Sequence, residues 1–382
     1  MPAHFVFNDD KVIPSLVCLL ASPSSQMDVM KHLFLIGNER GLFLHVTNGE
    51  DGGALVKFPQ GRVITEGKML LPVKDKSWMG FQKKIVQLKM DDKGNLIHAV
   101  VGEDNFDITT MLTDDYPDFP YSPFTTPGCV LTVDEFKKLL IASKFATSDS
   151  KSTEENKSTY LKFEKGKASS VGQNMGMIFA QVLIKIKSTN EFDPFQCVLT
   201  QSATRLLKTS ILDLAGDQEL WLFKPQGKSR LVIQTPDGNM MFWLNECVSD
   251  GMKFINMTNA TNQLSKNFKS GTVNTGQMKS IIKNILTLVQ DKSVTPFQFG
   301  PTSQIQFNGE FYKNGVSEIP IAVEGDPLQI VLDSKFVNEA LDELDSGVPS
   351  VLKLGGAKLP VIFEQVRGNF AIRIPIMPIS LN

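Results

Sequence analysis

The residue types that most often carry catalysis or bind metals are few and scattered in this sequence. They are His4, His32, His45, His98, Cys18, Cys129, Cys197 and Cys247. No two histidines have the spacing of a metal site, and the cysteine pattern is typical of reduced thiols in a cytoplasm. No G-x-S-x-G or Walker-type sequence occurs, and the acidic pair Asp114-Asp115 lies in a turn-rich linker. We therefore expect no enzymatic activity, no metal and no cofactor.

Basic residues, by contrast, recur at helical spacing in several amphipathic segments. Lys137 and Lys144 are seven residues apart and so share one helix face, with Lys138 beside them, while Lys279 and Lys283 are related as i and i+4. Acidic residues of these helices gather in the first turns, where they favour the helix macrodipole, so the remaining faces are net basic. The plainer alternative is that these lysines form only the solvated faces of amphipathic helices.

The last predicted helix departs from this pattern. Its sequence, SKFVNEALDEL, sets Lys335 against Glu339, Asp342 and Glu343. We expect the surface around this helix to be weakly basic at best.

Composition indicates an ordinary globular protein with more than one domain. The chain has 382 residues, 42% hydrophobic and 21% charged, with a formal net charge of −2. Single cores stop growing below this length, so two or three domains are expected. The near-neutral charge leaves room for a local basic surface only. MPAHFVFNDD lacks the pattern of a signal peptide, and no apolar run reaches membrane-spanning length, so we expect a cytoplasmic protein without a membrane partner.

The elements that position these residues repeat along the chain. An apolar strand, a polar cap, a short amphipathic helix and strands joined by Gly or Asn turns follow one another in the segments that begin KMLLPVKDK, FQCVLTQSA and LQIVLDSKF. Each segment is preceded by a sibling of the same order, and the siblings begin HFVFNDDKV, GCVLTVDEF and GTVNTGQMK. Thr132 is the predicted cap of the second sibling's helix, and Asn274 or Thr275 that of the third. The sequences Asp92–Asn95 and Pro236–Asn239 predict hairpin turns. The pattern predicts three domains, at residues 1–121, 122–256 and 257–382, with junctions at DDYPDFPYSPFTTPG and NMTNATNQLSKNFKSG.

The C-terminal residues AIRIPIMPISLN are unusually apolar for the end of a chain. Because proline cannot donate to a β-ladder, Pro375 and Pro378 predict a strand at the edge of a sheet. An edge that leaves Ile376, Met377, Ile379 and Leu381 near solvent is an aggregation hazard unless it binds something. The sequence therefore predicts a binding role for the tail.

Several local sequences, in the right order over the whole chain, resemble one family. DDYPDFP resembles the linker that closes the first domain of the bacterial DNA polymerase III beta subunit, the replicative sliding clamp. VLTVDEFKKLLIASKFATS, IVLDSKFVNEALDEL and IMPISL resemble its second-domain start, its last strand and helix, and its Met-Pro-Met-Arg-Leu ending. The resemblance implies an α+β fold of three repeated DNA-clamp domains, each a doubled β-α-β-β-β unit, forming half of a six-domain ring.

The resemblance also implies a role in replication. A member of this family is a polymerase processivity factor that encircles double-stranded DNA without sequence preference, as a head-to-tail homodimer opened by a clamp loader. Helices that face sliding DNA need Lys and Arg aimed at phosphates, without base readout. The residues expected to face DNA are Lys74, Lys76, Lys137, Lys138, Lys144, Arg205, Lys208, Lys279 and Lys283.

Family members bind the replicative polymerase and other partners through a pocket whose wall is the C-terminal tail. The corresponding residues are Met175, Met177, Ile178, Ile376, Met377, Pro378, Ile379 and Leu381. Methionine suits a pocket that accepts many peptides. QNMGMI stands where the family has Thr-Asp-Gly-His-Arg-Leu, and Ser380 stands where the tail has Arg, so we expect a more apolar, less cationic pocket. The alternative is that Met175 and Met177 are ordinary core residues.

These departures suggest a diverged member, encoded by a bacterium, a phage or a plasmid, and acting in the nucleoid or in phage-infected cytoplasm. A β-rich structural or virion protein with the same fold and no DNA role is the competing interpretation. The basic helices and the apolar tail weigh against it.

Overall fold

The computed structural model describes residues 2–8, 31–49, 51–72, 81, 83–119, 122–146, 153–174, 177–186, 191–204, 207, 215–247, 269–289, 293–309 and 313–380. The α-helices with both ends in these residues are α1 Val133–Leu139, α2 Glu154–Lys157, α3 Thr275–Val289 and α4 Ser334–Asp342. Two 3₁₀ helices cover Thr113–Asp115 and Leu140–Phe145. The helices predicted near residues 9–20, 74–84 and 201–214 lie wholly or partly outside the described residues.

Strands make up most of the described structure. The first thirteen are β1 His4–Asn8, β2 His32–Asn38, β3 Gly41–Thr47, β4 Gly52–Lys57, β5 Arg62–Thr65, β6 Gly67–Pro72, β7 Ile85–Met90, β8 Leu96–Val101, β9 Asp104–Thr109, β10 Cys129–Thr132, β11 Ser158–Glu164, β12 Lys167–Asn174 and β13 Ile178–Lys185. The others are β14 Phe195–Thr200, β15 Glu219–Phe223, β16 Arg230–Gln234, β17 Met240–Asn245, β18 Lys269–Val273, β19 Val294–Phe299, β20 Ser303–Phe307, β21 Gly315–Ile319, β22 Leu328–Asp333, β23 Ser350–Leu354, β24 Val361–Arg367 and β25 Phe370–Ile376.

Within the described residues these strands form four sheets. Sheet 1 has the order β5-β1-β7-β8-β9, and sheet 2 has the order β10-β15-β16-β17-β4-β3-β2-β6. Sheet 3 runs β14-β11-β12-β13-β25-β24-β23-β18, and sheet 4 runs β21-β20-β19-β22. Every pairing between these strands is antiparallel, which suits short strands joined by tight turns. The predicted turns at Asp92–Asn95 and Pro236–Asn239 join β7 to β8 and β16 to β17.

The chain divides into two compact units. Unit 1 comprises Met1–Phe136, Ser188–Asp193 and Ser202–Cys247, and unit 2 comprises Lys137–Lys187, Pro194–Gln201 and Val248–Asn382. Sheet 2 combines strands from both sides of the predicted junction near residue 121, and sheet 3 does the same for the junction near residue 256. The division into three domains therefore stays a prediction.

Local sequence explains where the helices begin. Thr132 and Glu135 form a reciprocal capping box at α1, with backbone N–H groups donating to the Thr132 hydroxyl at 3.2 Å and to the Glu135 carboxylate at 3.0 Å. Asn274 caps α3 by accepting from Gln277 N–H at 3.0 Å, and Asp333 caps α4 by accepting from Lys335 N–H at 2.8 Å. The predicted Thr132 cap is confirmed, and of Asn274 and Thr275 the first is the cap of α3.

The 3₁₀ helix at Leu140–Phe145 lies directly on the backbone of sheet 3. A Cβ atom on Gly172 of β12 would lie 1.9 Å from the Ala142 carbonyl oxygen, so only glycine permits this approach. Ser170, two residues earlier, donates to the Leu139 carbonyl at 2.6 Å. This contact fixes the basic end of the helical segment against the sheet.

The acidic-aromatic linker DDYPDFP is a packing element of unit 1. Tyr116 joins a buried cluster with Phe34 and Leu70, and Phe119 packs against Trp243, with ring centroids 5.1 Å apart. The rings of Tyr116 and Phe119 lie 5.2 and 5.6 Å from that of His45. The aromatic residues of the linker therefore cover one face of sheet 2.

The prediction that the tail forms a sheet edge is wrong. β25 is a central strand of sheet 3, paired with β13 on one side and β24 on the other. The pairing with β13 keeps one register but is interrupted between the pairs Ile178↔Ile376 and Gln181↔Arg373. Pro375 lies in this interval and has no N–H to donate. The sheet tolerates a central proline because a ladder gap accompanies it.

Candidate DNA-facing helices and tail surface

The helical segment at residues 133–145 separates an apolar face from a basic one. Val133, Phe136, Leu139 and Leu140 are buried, whereas Lys137 and Lys138 are half-buried and Lys144 is exposed. Lys138 Nζ lies 5.8 Å from the centre of the Phe370 ring, a cation–π distance. The segment therefore presents the predicted basic residues away from its core.

Helix α3 has the same division. It buries Met278, Ile282, Ile285 and Val289 at helical spacing, and Lys279 and Lys283 flank this stripe. Both lysines contact one carboxylate of α4, since their Nζ atoms lie 2.8 and 3.4 Å from Asp342 Oδ1. The two lysines predicted to face DNA thus share an acidic partner within the chain.

Lys144 is also paired. Its Nζ lies 2.7 Å from Glu343 Oε1, joining residues 199 positions apart in sequence. We call Lys144, Lys279, Lys283, Asp342 and Glu343 the carboxylate–lysine cluster. The cluster holds three lysines and two carboxylates, so its net charge is about one positive charge rather than three.

Two carboxyl groups of α4, Asp342 and Glu339, have shifted pKa values. Partial burial raises the pKa of Asp342, but hydrogen bonds and charge from Lys279 and Lys283 outweigh this effect and hold the pKa below its ordinary value. Partial burial, then the charges of Asp333 and Asp342, raise the pKa of Glu339. Asp342 is therefore ionised at neutral pH and remains available to the two lysines.

The tail continues from β25 across unit 2. Met377 N–H donates to the Met177 carbonyl at 2.8 Å, and Ile379 N–H donates to the Val331 carbonyl at 2.9 Å. Ile376 is fully buried opposite Ile178, which is also fully buried. The backbone thus fixes Met377, Pro378 and Ile379 at the surface, where all three are half-buried.

Met377 packs with residues that the sequence did not single out. It contacts a cluster formed by Val171 and Phe179, which Tyr160 also covers. We call Tyr160, Val171, Met177, Phe179, Met377, Pro378 and Ile379 the tail surface. Phe179 was detectable in principle, because it is two residues from the predicted pocket residue Met177 and would share its face in an extended chain.

A buried acidic residue lies in the strands that flank this surface. Glu364 of β24 accepts from Arg373 Nε at 2.8 Å and from the Lys353 ammonium. Burial raises the pKa of Glu364, but hydrogen bonds from Lys353 and Arg373 outweigh this effect and hold the pKa below its ordinary value. Arg373, four residues before Met377, is therefore already neutralised within sheet 3.

Comparison with known proteins places this geometry in a known fold. No protein-family model matches the sequence, and no curated protein matches it. Solved structures do match over the whole length: the sliding clamp of Bacillus subtilis has a TM-score of 0.83 with 16% identity and covers 100% of each chain. The DNA polymerase III beta subunit of Thermotoga maritima (TM-score 0.80) and the sliding clamp of Pseudomonas aeruginosa bound to griselimycin (TM-score 0.81) each share 14% identity, again over 100% of both chains.

This chain has the sliding-clamp fold. The expected α+β architecture of repeated sheet-and-helix domains is confirmed, and the low identity fits a diverged sequence. A likeness at this level of identity establishes the fold, and the roles of individual residues need separate arguments.

Part of the predicted site lies outside the described residues of this clamp fold. This group comprises Lys74, Lys76, Arg205 and Lys208, which were predicted to face DNA, and Met175 and Leu381, which were predicted to line the pocket. Their roles stay predictions. So do the pocket roles of Ile178 and Ile376, whose burial leaves Met177, Met377, Pro378 and Ile379 as the accessible part of that prediction.

Three of the described histidines have packing or pairing roles. His45 is buried among aromatic rings, and burial lowers its pKa to about 3. His98 Nδ1 lies 2.6 Å from Asp107, and His4 contacts Gln87 at 2.8 Å. In the part of the chain that the structure describes, no group of His, Cys, Asp and Glu could hold a metal ion, and no helix is long and apolar enough to cross a membrane.

Proposed function

We propose that this chain is a DNA sliding clamp, a non-catalytic processivity factor that encircles duplex DNA and tethers the replicative polymerase. The observation that carries the proposal is its likeness to sliding clamps over the full length of both chains, with TM-scores of 0.80 to 0.83 in three bacterial examples. A shared fold does not by itself fix a function. Two features of the chain's own residues support the assignment: lysines on helical faces and an apolar tail surface.

The helical lysines suit a partner that carries regularly spaced phosphates. Lys137 and Lys138 on α1 and Lys279 and Lys283 on α3 offer ammonium groups without the planar fork that reads bases. Contacts of this kind hold DNA without sequence preference and allow sliding. A net charge of −2 fits a clamp, because its hold on DNA is topological.

The proposed ring is a head-to-tail homodimer, closed by edge strands of the first and third predicted domains. Among the described strands, β9 lies at an edge of sheet 1 with Phe106 43% exposed, and β21 lies at an edge of sheet 4 with Val316 57% exposed. Unpaired edges with exposed apolar residues are hazards that a seam between two chains would remove. A closed ring needs a clamp loader to open it, and we place its action in a bacterial or phage-infected cytoplasm.

The tail surface is the proposed site for the polymerase and other partners. Met377 and Tyr160, packed on the buried Phe179, offer adaptable apolar contacts, and Pro378 and Ile379 extend them along an ordered backbone. The partner expected here is a short apolar peptide at the end of a replication protein. The neutralised Arg373 supports a preference for apolar over acidic peptides.

Topological retention on DNA tests the proposal. The protein is incubated with nicked circular plasmid, a bacterial clamp loader and ATP, and the bound fraction is isolated by gel filtration. We expect protein to stay on circular DNA and to be released when the plasmid is linearised. Light scattering, which needs no loader, should give about twice the chain mass of 42.3 kDa. A stable monomer at micromolar concentration would contradict the ring.

A further inference from the structure

The carboxylate–lysine cluster has a consequence for DNA binding. Lys144, Lys279 and Lys283 are the described lysines that face carboxylates of the α4 end, at 2.7, 2.8 and 3.4 Å. Their acidic partners are adjacent at one helix end, because Asp342 is in the last turn of α4 and Glu343 is its C-terminal cap, with its side chain only 12% exposed. The lysines therefore meet an approaching phosphate with an oxyanion already in place.

A lysine that exchanges a carboxylate for a phosphate gains less binding free energy than a free lysine that captures the same phosphate. A free lysine at DNA displaces a condensed counterion, and that release gives the binding its salt dependence. A lysine paired with a carboxylate must first break an ion pair, and the freed carboxylate then lies beside the phosphate backbone, where like charges repel. Each paired lysine should contribute little affinity and little salt dependence.

We propose that Asp342 and Glu343 compete with DNA phosphates for Lys144, Lys279 and Lys283 and thereby limit the electrostatic grip of the clamp on duplex DNA. The inference rests on the proposed function, because it assumes that these helices face DNA. It assigns the acidic end of α4 a role in setting affinity. A clamp that holds DNA by topology has no need of tight phosphate contacts, and a weak grip favours sliding.

The chain contains a matched control for this cluster. Glu164 lies within 3.0 Å of Lys162 and 3.2 Å of Lys167, so one carboxylate there also serves two lysines. Those residues are carried by strands β11 and β12, not by a helix of the predicted DNA-facing set. Asp342→Asn and Glu164→Gln therefore each remove one negative charge from a pair of lysines, in two different settings.

Fluorescence anisotropy with a labelled linear duplex measures the effect across a salt titration. Asp342→Asn frees two lysines, so its plot of log affinity against log salt should steepen by up to about 1.8, and Asp342→Asn/Glu343→Gln should steepen it by up to about 2.7. Between about 50 and 200 mM salt these slopes correspond to an extra loss of affinity of roughly 12-fold and 40-fold. Glu164→Gln should leave the slope of the wild type unchanged.

A triple variant, Lys144→Ala/Lys279→Ala/Lys283→Ala, separates this inference from the proposed function. With the lysines removed, Asp342→Asn/Glu343→Gln should no longer steepen the slope. If the carboxylate variants match Glu164→Gln while a charge reversal at Lys137 and Lys138 still weakens binding, the competition is refuted and the DNA-facing role stands. If no substitution among these helical lysines changes binding, or if the protein does not bind the linear duplex at all, the competition is overturned. The proposed function is judged separately, by loader-dependent retention on circular DNA. Far-UV circular dichroism and solution mass check that each variant is folded.

Discussion

The carboxylate–lysine cluster and the strands beside the tail surface each contain one acidic residue shared by two cations. Asp342 serves Lys279 and Lys283 at the end of a helix, where the side chain is 38% exposed. Glu364 serves Lys353 and Arg373 across three neighbouring strands, where the residue is 8% exposed. The same set of charges is thus open to exchange in one place and fixed in the other.

This difference separates two ways of binding a partner. An exposed ion pair contributes little to stability and can exchange for another anion, such as a phosphate. A buried, hydrogen-bonded carboxylate is costly to leave unpaired, so it keeps its partners and stiffens the strands that carry it. We infer that the helices offer a weak, mobile contact to DNA, whereas the strands near Met377 hold a rigid apolar surface for a peptide.

The largest expected effect is on folding, at two neighbouring tail residues that face opposite sides of sheet 3. Ile376→Ala should destabilise the protein by about 3 kcal/mol, because it opens a cavity at a fully buried position. Met377→Ala should cost less than about 1 kcal/mol, since Met377 is half-buried at the surface. Urea unfolding followed by circular dichroism measures both. Equal losses for the two variants would mean that Met377 is a core residue and that the tail surface is wrongly assigned.

Sequence reasoning captured the local elements of this fold well. Thr132 and Asn274 predicted helix starts because a cap needs only the residues of one turn, and the turn at Pro236–Asn239 was readable because Gly238 adopts a φ of +65° that glycine favours. The tail was mispredicted as an edge strand. Proline statistics describe typical sheets, and only the register between β13 and β25 reveals that a central strand can tolerate Pro375.

The ion pairs of the carboxylate–lysine cluster could not be predicted from the sequence. A basic helical face at Lys144 and an acidic helix at Glu343 were both visible, but their 2.7 Å contact depends on how segments 199 residues apart dock. The same holds for Phe179 beside Met377. Periodicity identifies which face of an element a residue occupies, and tertiary packing decides what that face meets.

A second prediction concerns Glu364, the buried carboxylate of sheet 3. Glu364→Gln should destabilise the protein by about 2 kcal/mol at pH 7, because charge-assisted hydrogen bonds from Lys353 and Arg373 are lost. The pKa of Glu364 is lowered in the folded state. Its contribution is therefore fully present above the ordinary glutamate pKa and is lost as the pH falls through the lower folded value.

The measurement is the free energy of unfolding of both proteins from neutral pH down to about pH 3, below the ordinary glutamate pKa of about 4.3. The difference between wild type and Glu364→Gln should stay constant near neutrality and shrink at the acid end. A difference that persists unchanged through the acid range would point to lost packing instead of lost charge.

A third prediction tests the tail as a binding surface. Deleting residues 378–382 removes Pro378 and Ile379, which lie on the surface side of the last strand, and leaves β25 intact. An anchoring contact of about 2 kcal/mol would be lost, so a labelled C-terminal peptide of the replicative polymerase should bind roughly thirtyfold more weakly. Dimer mass should be unchanged. Equal affinity for intact and truncated protein would exclude these residues from the binding site.

The smallest expected effect is the counterpart of Glu364→Gln in the exposed cluster. Asp342→Asn should change the free energy of unfolding by less than about 1 kcal/mol, because Lys279 and Lys283 regain water when their partner is neutralised. The pKa of Asp342 is lowered in the folded state, so even this small contribution should disappear as the pH falls below the ordinary aspartate range. Parallel urea titrations of Asp342→Asn and Glu364→Gln give the contrast directly. A loss at Asp342 as large as that at Glu364 would show that its ion pairs are structural, and lysines held that firmly could not exchange a carboxylate for DNA phosphate.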